Sequence, residues 1–264
     1  MKLDLQQQFL TKNRCYEEGR PLEPKGVMVH STGANNPRVA RYVPGDDEIG
    51  RNTGGNHWNQ PRPGGRQVCV HAFVGKFADG QAGVVQTLPW TMRGWHSGSG
   101  KKGSAQNTHI GFEICEDGLD DPGYFQAVYR EAVELTAMLC REYGLDPLAD
   151  GVVICHAEGH RRGIASNHGD VLHWWPKFGK TMDDFRADVA QAMRGEDEVV
   201  TYEQWKEYMD RYEKERAALP APAWASQTGE WERAHRAGIT ADLSRPQSPA
   251  TRVEVAAMIL RAGK

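Results

Sequence analysis

The sequence predicts an α/β domain, a mixed central β-sheet flanked by helices, followed by a small all-α unit at the C-terminus. Three observations predict it. Short runs rich in Val, Ile and Phe are bounded by Gly, Pro or polar clusters, as strands are. A long segment between two of these runs carries apolar residues at helical spacing. Beyond residue 195 the composition turns acidic and helical, then breaks at a Pro/Ala stretch.

The elements follow in order. GVMVH (26–30) reads as a buried strand ending in His30. Residues 31–66 are rich in Gly, Pro and Asn and read as long surface loops with room for one short helix. VCVHAFVG (68–75) reads as a second strand. GVVQT (83–87) follows the Asp79–Gly80 turn as its hairpin partner. HIGFEIC (109–115) alternates, which puts Phe112 and Ile114 on one face and Gly111, Glu113 and Cys115 on the other. A helix is predicted over 124–143, with Phe125, Val128, Tyr129, Ala132, Leu135, Leu139 and Tyr143 on one face. Asp121 and Pro122 start it, and Gly144 with Pro147 stops it. VVICH (152–156) is a short apolar strand ending in His156. A last helix, 182–193, follows Thr181 with Asp184 as its capping partner and turns Phe185 and Val189 inward.

This places a catalytic domain at 1–195 and a helical linker at 196–222. The linker's residues 196–216 hold eight acids and four bases, with Trp205, Tyr208 or Met209, and Tyr212 at helical spacing. A small helical unit follows at 223–264. So short a segment makes a poor independent core, and is expected to dock or to need neighbours.

Composition excludes several function classes. The 264 residues carry a net charge of −3, with 25% charged and 39% hydrophobic residues, so the chain is an ordinary globular one. There is no basic footprint for nucleic acid. No apolar run approaches the roughly 20 residues that span a bilayer. The first residues, MKLDLQQQFLTKNR, lack the apolar core of a signal peptide, so the expected location is cytoplasmic until release. The five cysteines form no Cys-x-x-Cys pair and read as reduced, buried thiols; Cys69, Cys115 and Cys155 lie in apolar strands.

Histidine is the informative residue. Nine of the ten lie between His30 and His173. A catalytic zinc needs three protein ligands and an open position, and strand ends can supply them from far apart in sequence. His30 and His156 end strands, and Asp170 sits in the loop SNHGDVLHWW after His156. Each histidine taken alone also reads as a capped or surface residue. Glu113 interrupts an apolar strand, so it either faces water or lies in a cleft as a base beside a metal. Trp174 and Trp175 either line a sugar-binding cleft or pack the core. His57, His109, His160 and His173 read as surface or supporting residues.

Five blocks in fixed order carry a resemblance: VMVHSTG (27–33), CVHAFVG (69–75), RGWHSG (93–98), NTHIGFEIC (107–115) and ICHAEGHRRGIASNHGD (154–170). Together they resemble the zinc-dependent N-acetylmuramoyl-alanine amidases of the peptidoglycan-recognition-protein fold, which include phage and prophage lysins. The resemblance spans about residues 20–190. It implies Zn2+ held by His30, His156 and Asp170, with Glu113 as the water-activating base. The family's K-x-C or K-x-D pattern here reads His168-Gly-Asp170. His168 then replaces the lysine that stabilises the transition state, with His168 as third ligand the alternative. Trp95 and His96 correspond to a substrate-lining segment, and His71 to a strand histidine that lines the site or packs beside it. The implied partner is bacterial peptidoglycan, cleaved between N-acetylmuramic acid and the first alanine of the stem peptide. A non-catalytic wall-binding protein of the same fold is the alternative. The tail, W-x-x-A-x-x-x-G-I through P-A-T-R-x-E-x-A-x-M-I-L-R-A, resembles one S-layer-homology unit. That implies wall attachment or a homo-oligomer built from several copies; a helical cap is the other reading.

Overall fold

The computed structural model describes residues 3–195, 202–220 and 227–239, with positions 255 and 259. The chain forms two compact units, 1–197 and 198–264.

In the first unit the order is β1 (Leu5–Gln7), α1 (Arg14–Glu18), β2 (Gly26–Ser31), β3 (Ala72–Lys76), β4 (Ala82–Gln86), β5 (His109–Ile114), α2 (Pro122–Tyr143), β6 (Val153–Cys155), α3 (His156–Arg162) and α4 (Met182–Gly195). The six strands make one sheet ordered β1-β4-β3-β5-β2-β6. Only β3 and β4 pair antiparallel; the other neighbours are parallel, so the sheet is mixed. The β3–β4 turn is set by Asp79, whose carboxylate accepts from the Gln81 N–H, and by Gly80 at φ +87°.

The two faces of the sheet divide the labour. Val27, Val29, Ala72, Val74, Ile110, Phe112 and Ile114 are buried in one cluster with the apolar face of α2. Asp121 caps α2 by accepting from the N–H groups of Gly123 and Tyr124, Pro122 fills the first turn, and Gly144 ends it in the left-handed region. Thr181 and Asp184 form the reciprocal cap of α4, and Phe185 and Val189 are buried as predicted. Trp174 and Trp175 are fully buried in this layer, with Trp175 5.3 Å from the Tyr129 ring. They are core residues, not the walls of a cleft. All five cysteines are buried and unpaired.

Two expectations need correction. The run 68–75 does not enter as one strand: Cys69 exchanges both backbone hydrogen bonds with Trp95, and β3 begins only at Ala72. The run 152–156 does not end as a strand at His156. Cys155 caps a new helix there, with the Glu158 carboxylate accepting from its N–H at 3.2 Å. The three-residue β1 and the short α1 have no counterpart in the sequence reading.

In the second unit the structure shows α5 (Tyr202–Ala217) and α6 (Glu230–Arg236). Trp205 and Tyr212, predicted on one helical stripe, are 52% and 55% exposed. Most of the segment read as S-layer-homology-like lies outside the described residues. No described helix is long and apolar enough to cross a membrane.

Candidate metal centre

The sheet face away from α2 carries Met28, His30, Phe73, Gly111 and Glu113, because residues paired in register on parallel strands share a face. His30 ends β2 beside Glu113 of β5, and His156 opens α3 directly after β6, the neighbour of β2 on its other side. The loop after α3 returns Asp170 to the same point. The ligand atoms of His30, His156 and Asp170 all lie within 4.8 Å of one another. His30 Nδ1 stands 3.1 Å from Asp170 Oδ2 and 3.1 Å from His156 Nδ1, and His156 Nδ1 is 3.6 Å from Asp170 Oδ2.

The partners behind each ring decide which nitrogens carry protons. His96 Nε2 lies 3.2 Å from the His109 carbonyl, which can only accept, so this nitrogen holds the hydrogen. Burial, reinforced by the neighbouring His30 and His71, pushes His96 well below the usual histidine range and keeps it neutral. Its Nδ1 therefore accepts from the Nε2–H of His30 at 3.0 Å, which turns His30 Nδ1 toward His156 and Asp170. His156 is pushed down to about 4, first by burial and then by His30. Its Nε2 is 3.2 Å from Ser166 Oγ. Two imidazole nitrogens and a carboxylate then face one another at close range. That arrangement is repulsive on its own and is relieved by a cation, and this donor set suits zinc. Among the described residues this is the one such cluster of three.

Glu113 stands beside this cluster. Among the described residues its buried Oε2 has no hydrogen-bond partner, an uncommon state for a carboxylate oxygen. Burial raises its pKa well above the ordinary value, helped by the charges of Asp170 and Glu116 and opposed by Arg66. A carboxylate so placed takes up a proton readily. His168 is exposed, with its ring 4.6 Å from that of His156 and its Nδ1 3.1 Å from Ser166 Oγ.

The family model described as N-acetylmuramoyl-L-alanine amidase matches residues 19–172. The chain belongs to this family. Among solved structures, the amidase domain is similar to the hydrolase AmiA of Staphylococcus aureus, crystallised with its ligand. That match has 18% identity and a TM-score of 0.54, and covers 74% of this chain and 85% of the other. A mutant endolysin from Bacillus subtilis matches at 21% identity and TM-score 0.45, over 71% of this chain and 99% of its own. No curated protein matches.

Other histidines of the amidase domain have protein partners of their own. His71 is fully buried, its Nε2–H donates to the Met92 carbonyl (2.7 Å), and its Nδ1 accepts from the Gly111 N–H (3.0 Å). Such a ring ties the start of β3 to β5. His96 lies against His30. His109 is tied to Gly151 O, His160 to Ala165 O and His173 to the Glu116 carboxylate. Trp95 is half-buried, packed on the cluster around Phe73. The sequence reading missed the support that His96 gives His30. One signal was present: a glycine inside a strand marks a close approach. A methyl at Gly111 would run into the His96 ring.

Proposed function

We propose that this chain hydrolyses peptidoglycan at the amide joining the lactyl group of N-acetylmuramic acid to the first alanine of the stem peptide. The observation that carries the reading is the convergence of His30, His156 and Asp170 beside a half-buried carboxylate, Glu113, whose buried Oε2 is unpartnered among the described residues. The three converging side chains would hold zinc. When bound, zinc acidifies water and polarises a carbonyl.

The chain's own groups do the rest. Glu113 takes a proton from the attacking water and passes it to the nitrogen of the departing alanine. Water adds across the amide, leaving a lactyl carboxylate and a free amine. His168, at the rim, carries hydrogens on both nitrogens in this role and donates its Nε2–H to the oxygen on which negative charge develops. Trp95 offers a half-buried indole against the sugar or peptide. On this reading the enzyme is a wall lysin of endolysin or autolysin type, and the C-terminal unit holds it on the wall.

Mass spectrometry of purified wall digested with the full chain tests this. Stem peptides with a free N-terminal alanine, beside intact glycan strands, are expected. New reducing sugar ends, or wall that is bound and left uncut, would contradict it.

A further inference from the structure

We infer that Ser166 is a positioning residue whose single hydroxyl orients His156 and His168 together, a role that rests on the zinc amidase reading above. Three contacts meet at its Oγ. The Ser97 carbonyl lies 3.1 Å away, His156 Nε2 at 3.2 Å and His168 Nδ1 at 3.1 Å. A serine hydroxyl has one hydrogen to give and two lone pairs to receive with. The carbonyl can only accept, so the hydroxyl hydrogen goes to it. Both lone pairs then accept, one from the Nε2–H of His156 and one from the Nδ1–H of His168. This is the assignment that uses every valence of the group.

The consequence for His156 is direct. With its hydrogen committed at Nε2, its Nδ1 lone pair is presented to His30 and Asp170. Ser166 thus does for His156 what His96 does for His30, by a different chemical group. The consequence for His168 is orientation. This exposed side chain, on a loop, gains one fixed contact that ties it to the ring of His156.

The serine is itself held. Its backbone N–H donates to the same Ser97 carbonyl at 2.9 Å, so one oxygen fixes both its main chain and its hydroxyl. Ser97 is fully buried. Gly98, at φ +62°, leaves the space the hydroxyl occupies, because a Cβ there would come within 2.9 Å of Ser166 Oγ. The segments 97–105 and 163–166 are further joined by Lys102 N–H to Gly163 O and Ala105 N–H to Ile164 O. The hydroxyl therefore sits on a braced frame and not on a free loop tip.

The test compares the full-length chain with Ser166→Ala and Ser166→Thr. Zinc affinity is read by chelator competition, thermal melting by the metal-free protein, and kcat and KM on a soluble muramyl peptide. Ser166→Ala is expected to bind zinc about 10- to 100-fold more weakly. Its kcat falls more than its KM rises, metal-free melting stays unchanged, and Ser166→Thr recovers most of the affinity by restoring a hydroxyl. An alanine variant within threefold of wild type in zinc affinity overturns the inference. So does a threonine variant no better than alanine, or a loss of affinity matched by a fall in metal-free melting, which marks a merely structural role. Absence of zinc binding by the wild-type chain would instead remove the amidase reading and this inference with it.

Discussion

Glu113 and the two imidazoles beside it play separable parts, and substitution separates them. Glu113→Gln keeps size and shape, and leaves His30, His156 and Asp170 untouched. The account expects it to keep its zinc and to lose about 10²- to 10⁴-fold in kcat, the range a general base supplies. Steady-state kinetics beside metal analysis checks both halves; near-normal turnover would remove Glu113 from the chemistry. His71 tests the structural histidines. Burial first of all pushes it from an ordinary 6.5 down to about 4, against the pull of its two carbonyl partners. The unfolded chain therefore binds this proton before the folded chain does. Its contribution is intact above pH 6.5, declines as the pH falls, and is fully lost near pH 4, a change of about 3 kcal/mol. Urea titrations across that window should show stability falling toward acid, with a shallower slope in His71→Gln. An identical slope in the variant would place the lost stability elsewhere.

Strands and helices carry the site to one place. β2 delivers His30, β5 delivers Glu113 in register with it, and the first residue of α3 is His156. The alternation of HIGFEIC was readable from sequence because one face of β5 is dry, which imposes a strict period of two. The helix α2 was readable because its cap, first-turn proline and terminal glycine all agree with its apolar stripe. Start points were harder. α3 was missed because its cap is a cysteine, a residue without the usual capping oxygen, and the Glu158 partner then looked like a surface acid. β1 is three residues long and rests on pairing with β4, information absent from its own composition. The contact of His96 with His30 was not legible, because motif order places a residue along the chain and says nothing of which ring stands behind which. Gly111 is the element-scale test. Gly111→Ala pushes a methyl into the His96 ring. It should weaken zinc binding about 10-fold or more through His30 while β5 stays paired. Zinc titration joined to circular dichroism measures this, and unaltered affinity would show that His96 does not orient His30.

At the scale of the whole molecule, every residue of the candidate centre lies in the unit spanning 1–197. Removing residues 198–264 should leave cleavage of soluble muramyl peptides within about threefold and slow the clearing of intact walls. Equal loss on both substrates would show that the tail supports the catalytic unit instead of holding it at its target. The order of five motif blocks made the family legible before any geometry. Their convergence was not legible, because it depends on a strand order, β1-β4-β3-β5-β2-β6, that sequence separation does not encode. That convergence is also the most direct thing to measure. Elemental analysis of the purified full-length chain, of His30→Ala and of Glu113→Gln, should find a single zinc per chain in wild type and in Glu113→Gln, and none in His30→Ala. Zinc retained in His30→Ala, or a zinc-free wild-type chain that still cleaves walls, would contradict the account.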